Sequence, residues 1–297
     1  MQTNKDKTIV WHTSYDVVNP PKKPSENFVR FIVISDTHGT QPKVPEGDVL
    51  LHSGDFSELG STTSLEKQFK WLDTLPHTYK FVIGGNHDFS LCTRDNWYET
   101  RGKELLKEYK GEICDPEDIK RVVRDWQSRT DRIQRYLECE KAEFDLKGRK
   151  WSIYGSPWTP EFESWAWNYN RGKEAKEMYS KFPLTDILLT HGPPHKIGGL
   201  DVLTDGVTSV GCEETTERLE KGDLRPFLYC FGHIHEAQGT HLQNWQNSFP
   251  NKPNETLCIN SAIVEFDPDI FAKERRMVYS IVHQPIIVDV DPTALSM

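Results

Sequence analysis

The chain has 297 residues and 45 Asp+Glu against 36 Lys+Arg, a formal net charge of −9, so its average surface repels long nucleic acids and anionic membranes. Hydrophobic residues at 36% and charged residues at 27% fit a globular protein of one large or two small domains, with no long apolar run and no low-complexity tract. The opening MQTNKDKTIVWHTSYDVVNPPKKP lacks the apolar core of a signal peptide, which predicts a cytoplasmic protein. Cys92, Cys114, Cys139, Cys212, Cys230 and Cys258 form no CxxC pair, so reduced thiols are expected rather than disulfides or a structural zinc site.

After an N-terminal extension over 1–27, the first apolar, β-branched run is Phe28 to Ser35, a buried strand ending in Asp36-Thr-His-Gly39. Asp48 to Ser53 is a second strand, leading into Gly54-Asp55. Ser64 to Leu75 then places Leu65, Phe69, Leu72 and Leu75 at helical spacing. Tyr79 to Ile83 is a third strand and runs into Gly84-Gly-Asn-His-Asp88. Strand, loop, helix, strand in this order predicts α/β layering.

Residues 91–147 read as a charged, cap-like insertion in a single domain over 28–290, with a predicted helix from Asp118 to Leu137. Acidic residues interleave with Arg121, Arg124, Arg129, Arg132 and Arg135, so a solvated face is the expected reading of that charge. Lys150 to Tyr154, Asp186 to Thr190 and Phe227 to Phe231 are further strands, and Glu213 to Glu220 is a helix. The last two strands stop at His191-Gly-Pro-Pro and Gly232-His-Ile-His235. Two strand-rich halves predict two mixed sheets packed face to face and flanked by helices. Each polar motif stands at the carboxyl end of a strand, where ligands gather in α/β sheets.

A divalent ion needs several nitrogen or oxygen donors, at least one of them anionic, on rigid elements. Asp36 and His38 can converge if the backbone turns after the strand; alone, an Asp there is an ordinary turn or cap residue. Asp55 brings a second carboxylate, Asn86 an amide, and His87 and Asp88 an imidazole and a third carboxylate, all from consecutive strand ends. His191, His233 and His235 complete a constellation suited to zinc, manganese or iron.

The order D-x-H, G-D, G-N-H-[ED], H-G-P, G-H-x-H resembles that of the calcineurin-like metallophosphoesterases, over about Phe28 to Ile263. GDFSELG, LPHTYKFVIGGNHD, IYGSPWTPEFESWAWN, DILLTHGPP and CFGHIHEAQG are similar to the metallophosphoesterase-domain-containing, UPF0046-like branch of small phosphodiesterases. The resemblance implies two divalent metal ions (manganese, iron or zinc), with Asp36, His38 and His235 on one, Asn86, His191 and His233 on the other, and Asp55 between them. It also implies hydrolysis of phosphodiesters, extending to cyclic nucleotides, by in-line attack of a hydroxide shared by the metals.

Asp36, Asp55 and a hydroxide cancel three of the four charges of such a pair, leaving one positive charge for a phosphate, while distant acids are screened over about 8 Å. His87, next to Asn86 and not a ligand, is placed to assist the leaving oxygen. Glu58 and Asp88 read equally as carboxylates that orient it or the ligating imidazoles and as helix-start or loop hydrogen-bonding groups. Trp158, Phe162, Trp165 and Trp167 read as packing or as a face for a nucleobase, whereas His52, His195 and His241 read as structural. The rival function is a regulator that keeps metals and binds a nucleotide without hydrolysis, against which intact His87 and His233 argue. A protein serine/threonine phosphatase is disfavoured because no arginine-glycine pair follows Gly54-Asp55. The expected substrate is a small phosphodiester or nucleotide.

Overall fold

The first apolar run, Val29–Ile34, is buried at every position, as are Val49–His52, Ile187–Thr190 and Leu228–Phe231, the pattern of parallel strands covered on both faces. In the computed structural model, which describes residues 8–250, 252–274 and 277–295, these runs are central strands of two six-stranded sheets. In chain order the amino-terminal half supplies β1 (Ile9–His12), β2 (Val29–Ile34), β3 (Val49–His52), α1 (Thr62–Thr74), β4 (Tyr79–Val82), α2 (Lys103–Glu108), α3 (Pro116–Gln127) and β5 (Ile133–Tyr136). There follow β6 (Glu140–Leu146), β7 (Arg149–Ser156), the short β8 (Thr159–Pro160) and β9 (Asn168–Tyr169), α4 (Lys173–Tyr179), β10 (Ile187–Thr190), α5 (Glu213–Lys221) and β11 (Leu228–Phe231). The chain ends with β12 (Gly239–Asn244), β13 (Glu255–Asn260), β14 (Val264–Phe266), α6 (Pro268–Glu274), β15 (Tyr279–Ile281) and β16 (Ile286–Val290).

One sheet has the order β1-β16-β2-β3-β4-β5 and the other β12-β13-β11-β10-β7-β6. Within each, four neighbouring strands are parallel: β2 to β5 in the first, and β7, β10, β11 and β13 in the second. Phe31, Val33, Leu51 and Phe81 of the first sheet share one buried cluster with Ile153, Leu189, Cys230 and Ile259 of the second, so the sheets meet face to face. The outer face of the first packs Ile32, Ile34, Leu50 and Val82 against Leu65, Phe69 and Leu72 of α1 and Val122 and Trp126 of α3. Leu188, Tyr229 and Cys258 on the far face of the second pack against Ala175 and Tyr179 of α4 and Leu219 of α5. The fold is therefore the expected α/β/β/α sandwich.

The boundaries differ from expectation in three places. Within the stretch before Phe28, expected as an extension, Ile9–His12 pairs antiparallel with β16; residues 1–7 of that stretch lie outside the described residues. The charged insertion is shorter than 91–147, because β5 and β6 inside it pair with β4 and β7. The helix expected over Asp118 to Leu137 is α3 alone: the Asp115 side chain caps its start by accepting from Glu117 N–H, Pro116 opens it, and Ser128 closes it. Ile133 and Arg135 of β5 face outward while Gln134 and Tyr136 are buried, a strand whose polar and apolar positions do not alternate as the rule would have it. Among the described residues no helix is long and apolar enough to cross a membrane.

Candidate metal centre

The five loops after β2, β3, β4, β10 and β11 converge where the carboxyl ends of the two parallel groups meet. A parallel bridge between Ser35 and Ala262 ties the sheets together there. Four residues at these ends, Asp36, His38, Asp55 and His233, have φ of 52°, 42°, 51° and 69°, the left-handed region that costs about 1–3 kcal/mol for a non-glycine residue and gathers at functional sites. That geometry turns each chain sharply after its strand and aims the side chains inward. Backbone N–H groups hold the turns: Asp36 donates to Gly54 O at 2.9 Å, His38 to Asp55 O at 3.0 Å and Gly232 to His191 O at 3.0 Å. The loops pack so closely that a Cβ on Gly85 would lie 2.6 Å from Asp55 N and 2.7 Å from His191 Cε1, and one on Gly232 would strike the Asp36 carboxylate. Glycine is required at both.

The structure brings all seven expected ligand residues into one cluster. Asp36, His38 and His235 offer donor atoms within 4.8 Å of one another, and so do Asp55, His191 and His233. Asp55 Oδ2 stands between the groups, 3.3 Å from His191 Nε2 and 3.8 Å from His38 Nε2. Asn86 Oδ1 lies 2.7 Å from His191 Nε2, and Asp36 Oδ1 3.3 Å from His235 Nε2. His87 joins the rim: its backbone N–H donates to Asp55 Oδ1 at 2.7 Å, and its ring forms a third possible donor group with His38 and Asp55.

The donor chemistry fits divalent cations. Nδ1 of His191 faces the Ser53 carbonyl at 2.9 Å, and since a carbonyl only accepts, that nitrogen carries the proton. Nε2 of the neutral ring is then a lone pair facing the Asn86 and Asp55 oxygens, three acceptors that only positive charge reconciles. The same demand shows in the acid–base equilibria. Burial alone would lower His191, but the Asp55 carboxylate outweighs it and raises the ring to about 9. Burial would raise Asp55, yet the surrounding His191 and His87 hold it well below the usual carboxylate range. His233, with burial dominant and His191 beside it, is lowered to about 3, so its ring stays neutral and available as a donor.

The neighbouring acids act through backbone. Of the two roles expected for Asp88, the loop hydrogen-bonding one is seen: it accepts from Ser57 N–H at 2.9 Å, Ser57 Oγ at 2.5 Å and Gly85 N–H at 3.0 Å, locking the Asp55 loop to the Asn86 loop. Burial and then the charge of Asp55 raise it to about 7. Glu58 meets His87 with its main-chain carbonyl, 2.9 Å from Nδ1. His52 lies 3.1 Å from Thr37 Oγ1 and His195 pairs with Asp201, both supporting loops.

Above the cluster opens a cavity of about 680 Å³. The charged insertion was expected to cap it but lends only Tyr109 among the lining residues described. The wall comes instead from the C-terminal segment, with Glu265, Phe266, Phe271, Met277 and Tyr279, and from Phe162 and Trp165 of the aromatic stretch. Trp165 packs edge-on against His87 at 4.4 Å, whereas Trp158 and Trp167 pack on each other at 5.6 Å. Sequence reasoning missed the C-terminal wall because residues 264–281 carry no ligand-type motif; the alternation through Tyr279-Ser-Ile281 signals only a strand.

The sequence profile described as Calcineurin-like phosphoesterase matches residues 29–237. Metallophosphoesterase domain-containing protein 1 of Homo sapiens is 36% identical over 74% of this chain, the match spanning 64% of that protein. A UPF0046 protein of Caenorhabditis elegans is 32% identical over 90% of this chain and 68% of its own length. The probable rhamnogalacturonate lyase C of Emericella nidulans is 37% identical over 75% of this chain but only 19% of its own length, so the chain spans less than two thirds of the fungal and human relatives. With profile, relatives and the clustered donors in agreement, the chain belongs to the calcineurin-like phosphoesterase family.

Proposed function

We propose that this chain is a cytoplasmic, metal-dependent phosphodiesterase acting on small phosphodiesters, cyclic nucleotides among them. The observation that carries the reading is a pair of donor groups sharing the buried carboxylate of Asp55. Asp36, His38 and His235 would hold one divalent ion and Asn86, His191 and His233 the other, with Asp55 between; manganese is the ion expected to support activity in vitro. Two such ions supply positive charge for phosphoryl oxygens and lower the pKa of a shared water.

The protein's own groups do the rest. Asp55 and Asp36, fixed by backbone donors from His87 and His233, keep the donor set anionic enough to hold cations without cancelling their charge. His87 commits Nδ1–H to the Glu58 carbonyl, which leaves Nε2 to take up a proton and pass it to the departing alkoxide, an uptake that burial of the ring disfavours. Glu163, Glu236 and Glu265 on the cavity wall oppose a second negative charge on the phosphate and favour a diester over a monoester. Tyr109, Trp165, Phe266 and Phe271 offer faces for a nucleobase, each stack worth about 1–3 kcal/mol.

Turnover of bis(p-nitrophenyl) phosphate by the manganese-loaded protein, with bound metal counted by elemental analysis, tests the proposal. Turnover above the metal blank, with a lower rate on p-nitrophenyl phosphate, is expected. Two bound ions with no turnover would assign the chain to the rival class of metal- and nucleotide-binding regulators.

A further inference from the structure

The histidines of the cluster are not held alike. Nδ1 of His191 and Nδ1 of His87 each meets a backbone carbonyl, of Ser53 and Glu58, at 2.9 Å, the outer contact that fixes which nitrogen is left to bind and how the ring is turned. His38 turns Nε2 into the cluster, 3.3 Å from His235 Nε2 and 3.8 Å from Asp55 Oδ2. Its buried Nδ1, however, meets no hydrogen-bond partner among the described residues. What lies against this ring is the phenol of Tyr279, stacked with centroids 4.0 Å apart and planes 6° apart. His87 abuts it at right angles, with centroids 4.4 Å apart.

The terminal torsion of a histidine is broad and selects no orientation by itself. Without an N–H anchor, the plane of His38 is set by what packs on its face, and rotation about that torsion would drive a ring edge into the phenol. Tyr279 is itself well placed to act as a stop. It stands in β15 opposite Phe266 of β14, and its hydroxyl lies 3.5 Å from Met277 Sδ.

We propose that Tyr279 is the positioning residue for His38, fixing by ring stacking what backbone carbonyls fix for His191 and His87. This rests on reading the cluster as a dinuclear metal centre. Its consequence is that the ion on Asp36, His38 and His235 depends on a hairpin more than 200 residues further along the chain, as the numbering shows. Because Tyr279 also lines the cavity, the wall that receives substrate is also part of the frame of that ion.

The test is titration of the metal-free protein with Co²⁺, followed by visible absorption and calorimetry, for the wild type, Tyr279→Phe and Tyr279→Leu, with Tyr279→Ile as a second ring-less variant suited to a strand. The wild type and Tyr279→Phe should each bind two ions alike. The ring-less variants should bind one ion normally and the other about 10–100-fold more weakly, with a changed absorption band for that ion alone and an unchanged melting temperature without metal. Wild-type binding of both ions by a folded ring-less variant would overturn the proposal, as would a Tyr279→Phe variant as impaired as Tyr279→Leu, which would place the effect in the hydroxyl. A wild type that binds fewer than two ions would instead sink the dinuclear reading, and this inference with it.

Discussion

The loops after β2, β3, β4, β10 and β11 form the floor of the cavity, and residues 264–274 and 277–281 supply much of its wall; the two are made of different material. On the floor Asp36, Asp55 and His191 are buried, four residues adopt left-handed backbone, and loop is bonded to loop through main-chain N–H groups. On the wall α6 buries no side chain, Glu265 and Phe266 are exposed, and β14 meets β15 through only three residue pairs. A floor that stores strain and tolerates no added atom fixes the chemistry. A wall of aromatic side chains on a small hairpin can change its occupant at little cost to the fold.

The largest break in this contrast should come from Asp55→Asn, which removes the charge shared by both donor groups. Turnover should fall to the metal blank and metal content below two ions per chain, read by elemental analysis on folded protein. Next in size is His87→Ala, expected to lower kcat by about 10²–10⁴-fold while both ions stay bound. Loss of an ion from that variant would move His87 into the ligand set, which its grouping with His38 and Asp55 permits.

Floor and wall also differ in how far the sequence discloses them. Each floor residue stands where an apolar run stops, since a buried parallel strand must be apolar and its carboxyl end is where polar groups can gather; Asp36, Asp55, Asn86, His191, His233 and His235 could be read on that ground. Their left-handed backbone could not, because the sequence shows neighbours along the chain and the turn is set by loops packed from elsewhere. The wall was illegible for a related reason: Tyr279 acts through a face contact with His38, and stacking leaves no spacing pattern. β5 misled in a third way. Val122, Trp126, Ile133 and Leu137 suggest one long helix, yet Ile133 is exposed and Gln134 buried, its amide donating to the Trp126 carbonyl.

Gly85→Ala probes the floor without touching a charge. Its Cβ would press on Asp55 and His191, with a cost of about 1–3 kcal/mol expected for overpacking, visible in thermal unfolding, and with metal affinity lowered. Full metal affinity and unchanged stability would show that the loops are looser than their contacts imply. On the wall, Phe271→Ala should raise KM for an aromatic diester severalfold, leave kcat within about twofold and change stability by under about 1 kcal/mol. A large fall in kcat there would mean that Phe271, like Tyr279, bears on the metal centre and not on substrate alone.

A pH-dependent effect separates the acid sensitivity of the floor from that of the surrounding scaffold. His77, just before β4, is lowered to about 4 by burial and by the nearby Lys80, against about 6.5 for an unfolded histidine. Between those values the unfolded chain binds more protons than the native one, so stability rises with pH across the window and is lost on acidification from about 6.5 to about 4. Asp55, held well below the ordinary value of 3.8 by the histidines around it, acts in the same direction but lower in pH: its stabilisation is present above about 3.8 and disappears only as pH falls through its lower native value. Acid loss above pH 4 therefore belongs to buried histidines and not to the Asp55 carboxylate. In metal-free protein, His77→Gln should gain on the wild type by up to about 3 kcal/mol between pH 7 and pH 4, at 1.36 kcal/mol for each unit, and the difference should be flat above pH 7. Denaturant unfolding across this range measures it, and a difference independent of pH would mean that native His77 takes up its proton as readily as the unfolded chain.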